Sequence, residues 1–196
     1  FTGRWQMSKG GTREVIEPAT GKVLTEVGFA DAEDVREAAQ AAAVAQVEWA
    51  NTPADQRAAV LRRAAQLLEA HADALRSWIV RETGSIPPKA DFELHMVIGI
   101  LLEAAAIATQ PPGMMLPSGP KRMSFARRVP HGVVGIISPF NAPLILSSRA
   151  VAPALALGNA VVLKPDPQTP VTGGFILARL FEAAGLPAGL LHVLPG

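Results

Sequence analysis

"GVVGIISPFNAPLILSSRAVAPALALGNAVVLKPDPQTP", residues 132–170, decides the fold. Val133–Ser138 is a β-rich run, Leu144–Leu157 has the composition of a helix, and "NAVVLK" is a second β run. Downstream, residues 171–184 form another helix ended by Gly185 and Pro187, and "LLHVL" is a third strand. The order is β-α-β-α-β, with strands apolar enough to be covered on both faces, as in a parallel sheet. Such a unit is the mononucleotide-binding half of a doubly wound α/β fold, whose ligands bind beyond the carboxyl ends of the strands. Two proline-stiffened loops occupy that position, "SPFNAP" (138–143) and "KPDPQTP" (164–170). The first holds an amide side chain, Asn141, between Pro139 and Pro143.

Upstream the pattern changes. Residues 1–30 read as short strands and turns, with turn signals at Gly10-Gly11 and at "ATGK". Asp31, followed three residues on by Asp34, is an N-cap for the alanine-rich helix "EDVREAAQAAAVAQVEWA". Pro53 closes that helix and opens the next. From Ala54 to Thr83 the spacing of Val60, Leu61, Leu67, Leu68, Leu75, Trp78 and Ile79 predicts one helix capped by Gly84. A third helix runs from about Lys89 to Thr109, with Glu93 and Glu103 on its solvated face and Pro111-Pro112-Gly113 ending it. "RMSFARRVP" reads as a strand leaving the main body, with Arg122, Arg127 and Arg128 outward or along an edge. Trp49 and Trp78 read as core, or as cover for the helix pair. The chain thus divides into strands and helices at 1–121, a strand arm at 122–131 and the sheet half at 132–196.

The 196 residues are 49% hydrophobic and 18% charged, with 18 basic against 17 acidic side chains and a net charge of +1. That balance gives no electrostatic case for nucleic acid or an anionic membrane. The longest apolar region, 132–163, is interrupted by Pro139, Asn141, Pro143, Arg149 and Pro153, so it is core rather than a bilayer span, which needs about 20 unbroken residues. With no cysteine there is no disulfide or thiolate metal site. His71, His95, His131 and His192 lack ligand spacing, so no metal is expected. Neither G-x-G-x-x-G nor a P-loop is present, so a nucleotide cannot be cradled at the first turn in the usual way. The first residue is Phe1 rather than Met, which reads as a numbering that starts inside a longer gene product.

Taken together, "EPATGKVL", "AAQAAAVAQVEWA", "RAAVLRRAAQLLEAHADAL", "RETGS", "GVVGIISPFNAPL", "APALALGNAVVLKPDPQTP" and "FEAAGLPAGLLHVLPG" resemble the aldehyde dehydrogenase superfamily in order and spacing, over nearly the whole chain. "RETGSIPPKADFE", "ARRVPHGVVGIISPFNAPLIL" and "VVLKPDPQTPVTGG" are most similar to its benzaldehyde dehydrogenase branch. The resemblance implies a Rossmann-like half sheet and an N-terminal region packed on it. It also implies an NAD(P)-dependent enzyme that oxidises a small-molecule aldehyde, aromatic in that branch, to the acid. In that family a cysteine thiolate attacks the aldehyde, hydride passes to the nicotinamide, and a glutamate-activated water hydrolyses the thioester. Asn141 matches the amide that donates to the oxyanion, a contribution of ~3 kcal/mol when preorganised.

Ile137, Ser138, Pro139 and Phe140 match the lining of the cofactor cleft, and Lys164 matches the residue that bonds the adenosine ribose or a 2′-phosphate. Pro165, Asp166 and Pro167 complete that cofactor-binding loop. Many NAD-preferring members carry a glutamate where Pro167 stands, so the resemblance implies NAD or NADP, with NADP tolerated or preferred. Leu146 and Arg149 lie on the helix that lines the substrate tunnel. The arm at 122–131 matches one that crosses between subunits, implying a homodimer or homotetramer, cytoplasmic, without nucleic acid or membrane partners. The catalytic Cys and Glu and the pyrophosphate loop lie downstream in relatives. The chain is therefore expected to be the N-terminal part of a longer enzyme and, as written, an inactive fragment.

Local readings compete with these. Asn141 before Pro143 has the composition of a plain N-cap. Asp166 suits a turn within "KPDP", Lys164 a solvated strand end, and Arg149 packing or helix pairing. Two other functions stay open: a semialdehyde dehydrogenase in which Arg149 grips a distal carboxylate, and a short nucleotide-binding protein without chemistry.

Overall fold

The computed structural model describes residues 1–196. Strands β1 (Thr12–Ile16) and β2 (Val23–Gly28) pair antiparallel. Asp31 then starts helix α1 (Ala32–Asn51). Its carboxylate accepts the N–H groups of Glu33 and Asp34, and Asp34 accepts the N–H of Asp31 in return. This reciprocal box satisfies donors that the first helical turn would otherwise leave open. Helix α2 (Ala54–Ala70) and helix α3 (Ala72–Thr83) follow. The single helix expected over 54–83 is therefore two, broken at His71, where φ is −110° and ψ is 16°. No Gly or Pro marks the break; packing makes it. Gly84 ends α3 in the left-handed region at φ 67°, a conformation that costs glycine no Cβ clash.

Helix α4 (Pro87–Ala108) leads into a hairpin of β3 (Gly113–Leu116) and β4 (Ser124–Arg127), with Gly113 opposite Arg127. The arm thus begins at Gly113, not at 122. Neither strand joins another sheet, and Met114, Met115 and Phe125 stand exposed on it.

The last third is β5 (Val133–Ile137), α5 (Pro143–Ala156), β6 (Ala160–Lys164), a π-helical turn (Val171–Phe175) running into α6 (Ile176–Ala183), and β7 (Leu191–Val193). The three strands are parallel in the order β5-β6-β7, which is the α/β half sheet the sequence predicts. The helix expected over 171–184 opens with the wider π turn instead. Helix α1 packs on all three strands, and α5 and α6 pack on the same sheet, so Ala160, Val161 and Leu163 of β6 are fully buried. Helix α4 lies between α2 and α5, and α3 touches α4 and the π turn; these separate seats account for the break at His71. One cluster of 35 buried residues runs from Ala42 of α1 to Val193 of β7. The division at 131/132 is thus a change of pattern along the chain and not a seam in the packing. No helix is long and apolar enough to cross a membrane.

Candidate active site

Ile137 and Lys164 are register partners at the ends of β5 and β6, so "SPFNAP" and "KPDPQTP" leave the sheet side by side. A cleft of about 500 Å³ opens there, lined by Ile137, Val162 and Lys164 with Val35 and Leu194. Ile137 is 82% exposed, an apolar strand end with nothing of this chain over it. Lys164 enters no ion pair. Pro139, Phe140 and Pro167 are exposed beside them.

Two of the expected cofactor residues face inward in their interactions. The Ser138 hydroxyl is buried 2.8 Å from Ser147 Oγ, which in turn lies 2.6 Å from the Gly173 carbonyl oxygen. A relay with Ser138 donating to Ser147 and Ser147 to Gly173 satisfies both hydroxyls. Pro165 is buried against the π turn; a Cβ placed on Gly174 would sit 2.9 Å from its Cγ and 2.6 Å from Val193 Cγ1. Asp166 accepts the Gln168 N–H at 2.9 Å, the turn role that its position in "KPDP" favours.

Asn141 is exposed and does not cap α5. The N-cap is Ala142, and no side chain of that turn bonds the helix start. Pro143 has no N–H to offer, so Leu144 carries the first free donor, and it is taken by Glu93 Oε2 of α4 at 3.1 Å. Glu93 is 0% exposed and its other oxygen pairs with Lys89 Nζ. The solvated face expected for Glu93 is therefore wrong, while Glu103 is exposed as expected.

The same logic holds at every end of the two crossover helices. Glu82 of α3, also buried, accepts the N–H groups of Val171 (2.8 Å) and Thr172 (2.7 Å) and the Thr172 hydroxyl at the start of the π turn. At the far end of α5, Trp49 Nε1 donates to the Leu155 carbonyl at 2.8 Å, Arg57 Nε to Ala156 at 2.9 Å, and Gln46 Nε2 to Gly158 at 2.8 Å. Arg63 Nε donates to the Ala184 carbonyl at the end of α6, at 2.8 Å. Carboxylates meet helix starts and guanidinium groups meet helix ends, which suits the helix dipole. All these side chains come from α1–α4. The N-terminal helices thus hold the rigid bodies that carry the loops.

Burial pushes the Glu82 carboxyl above its ordinary 4.5, against the donors from Thr172 and Val171 that pull it down. A carboxyl with a raised folded pKa takes up a proton on folding. Its stabilising term is full below the unfolded pKa and declines as pH rises through the folded one. Denaturation midpoints of the parent and of Glu82→Gln, compared between about pH 4 and about pH 8, are expected to show the parent losing ground to the variant as pH rises. Parallel curves overturn this.

A second opening, of about 420 Å³, lies between α4 and α5 and is lined by His95, Met96, Gly99, Glu103, Arg149 and Pro153. Arg149 is exposed there without an ion pair. Leu146 is half-buried on the same helix and is not part of this lining.

The aldehyde dehydrogenase family profile matches residues 5–196. The chain belongs to the aldehyde dehydrogenase family. It is 61% identical over 196 residues to a vanillin dehydrogenase of an Amycolatopsis species and 48% identical over 197 residues to the NAD⁺-dependent benzaldehyde dehydrogenase of Pseudomonas putida. Each comparison covers 100% of this chain and 40% of the relative. The crystal structure of an NAD-dependent benzaldehyde dehydrogenase from Corynebacterium glutamicum superimposes with a TM-score of 0.95 at 45% identity, over 100% of this chain and 43% of that one. This aldehyde dehydrogenase chain therefore spans about 40% of the length of these curated relatives.

Proposed function

We propose that the protein to which this chain contributes oxidises aromatic aldehydes of the benzaldehyde and vanillin type to carboxylic acids, with a nicotinamide dinucleotide as hydride acceptor. The observation that carries the reading is an exposed carboxamide, Asn141, on a loop fixed at both ends and not used by its own helix. A donor held in place before the reaction stabilises developing oxyanion charge far better than one that must reorient. The thiol that attacks the aldehyde has to come from outside these residues, since the chain has no cysteine.

The cleft at Ile137 and Lys164 fits the adenosine part of a dinucleotide in two respects. An unpaired ammonium offers donors to ribose hydroxyls or phosphate, and a bare aliphatic side chain offers a surface for a base. The dinucleotide supplies a two-electron acceptor for the aldehyde C–H hydride. Lys164 would hold the ribose edge, and Ile137, Pro139 and Phe140 would bound the cleft. At Pro167 there is no carboxylate to claim the ribose 2′-hydroxyl or to repel a 2′-phosphate, so NADP is accepted beside NAD. In the opening at Arg149 the apolar and small side chains, with the Glu103 carboxylate in the same lining to disfavour a second anion, favour an uncharged aromatic aldehyde over a semialdehyde.

The test is steady-state turnover of the full-length protein with benzaldehyde, vanillin and succinic semialdehyde, each with NAD⁺ and NADP⁺. Higher kcat/KM for the aromatic pair, with the two cofactors within about tenfold of each other (about 1.4 kcal/mol), is expected. Preference for the semialdehyde overturns the substrate reading, and a much stronger NAD⁺ preference overturns the cofactor reading.

A further inference from the structure

Resting on Asn141 as the oxyanion donor, we propose that Glu93 is a positioning residue for the reaction, fixing that amide through the first peptide of α5. Asn141 stands three residues before Leu144, whose N–H is bonded by the Glu93 carboxylate. Between them, Pro143 has its φ locked by its ring, which removes one of the intervening torsions. On the other side of the loop, Ser138 is tied by its N–H to the Lys164 carbonyl at 3.0 Å and by its hydroxyl to Ser147. Residues 139–143 are thus bracketed; Leu144 and Pro143 are buried at the downstream end, and Glu93 supplies the side-chain hydrogen bond made there to the helix start.

The chemistry of the bracket explains why a buried carboxylate is used there. Ala142, at the N-cap, has no side-chain acceptor, and Asn141 could serve the helix only by turning its exposed amide back onto it. An acceptor supplied from α4 frees Asn141 from that duty. Lys89 balances the charge on the second oxygen, which a buried carboxylate needs. Helix α4 is itself seated in the core by Ala90, Leu94, Val97 and Leu101, so the acceptor is as rigid as the core.

The test is a double-mutant cycle in the full-length enzyme. Glu93→Leu removes the acceptor, and kcat is expected to fall about 10- to 100-fold, the scale of an ångström's misplacement, with the KM for the dinucleotide unchanged. Glu93→Gln keeps an acceptor and recovers most of the rate. In the Asn141→Ala background, Glu93→Leu is expected to lower kcat no further, because the group it positions is gone. Additive losses make Glu93 a structural residue only and overturn the inference. If Asn141→Ala alone leaves kcat intact, the oxyanion reading itself fails, which is a different outcome. Should Glu93→Leu not fold, Glu93→Asp retains the charge and the Lys89 pair while shortening the reach, and the same cycle with it decides the question.

Discussion

Replacing Asn141 by alanine in the full-length protein is expected to lower kcat by about 10²- to 10³-fold, the loss that follows removal of one oxyanion donor. An interaction made only in the transition state lowers kcat and kcat/KM together, so the KM for aldehyde is expected to move little. Stability gives the second half of the result. Were Asn141 the cap of α5, its removal would cost ~1 kcal/mol. The residue is exposed, and the first α5 donor is bonded by Glu93 instead, so the melting temperature stays close to that of the parent. Stopped-flow or steady-state kinetics and a thermal melt on the same preparation suffice. A destabilised variant with unchanged kcat would return Asn141 to a capping role and remove the physical basis of the proposed reaction.

The largest expected stability effect is at Trp49. Its ring is 3% exposed at the junction of α1 with the sheet half, and its indole N–H bonds the Leu155 carbonyl at 2.8 Å. Trp49→Ala leaves a cavity and is expected to cost about 3–5 kcal/mol, with a further ~1 kcal/mol for the unbonded carbonyl. In a domain of this size the cavity alone lowers the melting temperature by roughly 6–20 °C. Trp49→Phe restores most of the filling but not the donor, and separates the two terms at about 1 kcal/mol. Circular-dichroism melts of the three proteins measure both. A Trp49→Ala loss no larger than that of Trp49→Phe would mean that the site collapses around the smaller side chain, and that the ring contributes only its hydrogen bond.

The sheet half was legible because each of its signals is local. β-branched runs at "VVGII" and "AVVLK", prolines at the loop mouths and Gly185 after α6 all act within a few residues. The Asp31–Asp34 box was legible for the same reason. What stayed hidden depends on distant partners. "LLEAHADAL" is mostly good helix formers and has no Gly or Pro, and the bend at His71 is imposed by the different seats of α2 and α3. β3 is concealed by "PPG", which reads as a terminator, although its partner β4 was found. The burial of Glu93, expected on a solvated face, and of Glu82, not singled out at all, was the costliest miss, yet the signal was present. Glu93 falls within the stripe Ala90, Leu94, Val97 and Leu101, and Glu82 lies three residues from Ile79, so each sits on a core-facing helical position. A charge on a buried face must find partners there, and the partners here are the helix starts of the other half of the chain. Within the candidate site, the loops and Asn141 were readable, whereas the inward use of Ser138 and Pro165 needed the π turn that packs against them.

One interior shared from Ala42 to Val193 also limits how this chain can be recombined. Hybrids joined at His131, where the sequence changes character, would mate α2 and α4 of one homologue with α5 and α6 of another. Trp49, Arg57, Arg63, Glu82 and Glu93 would then meet helix termini shaped by a different lineage. The helices and the sheet half are therefore expected to behave as one module, with hybrids joined inside it melting below either parent.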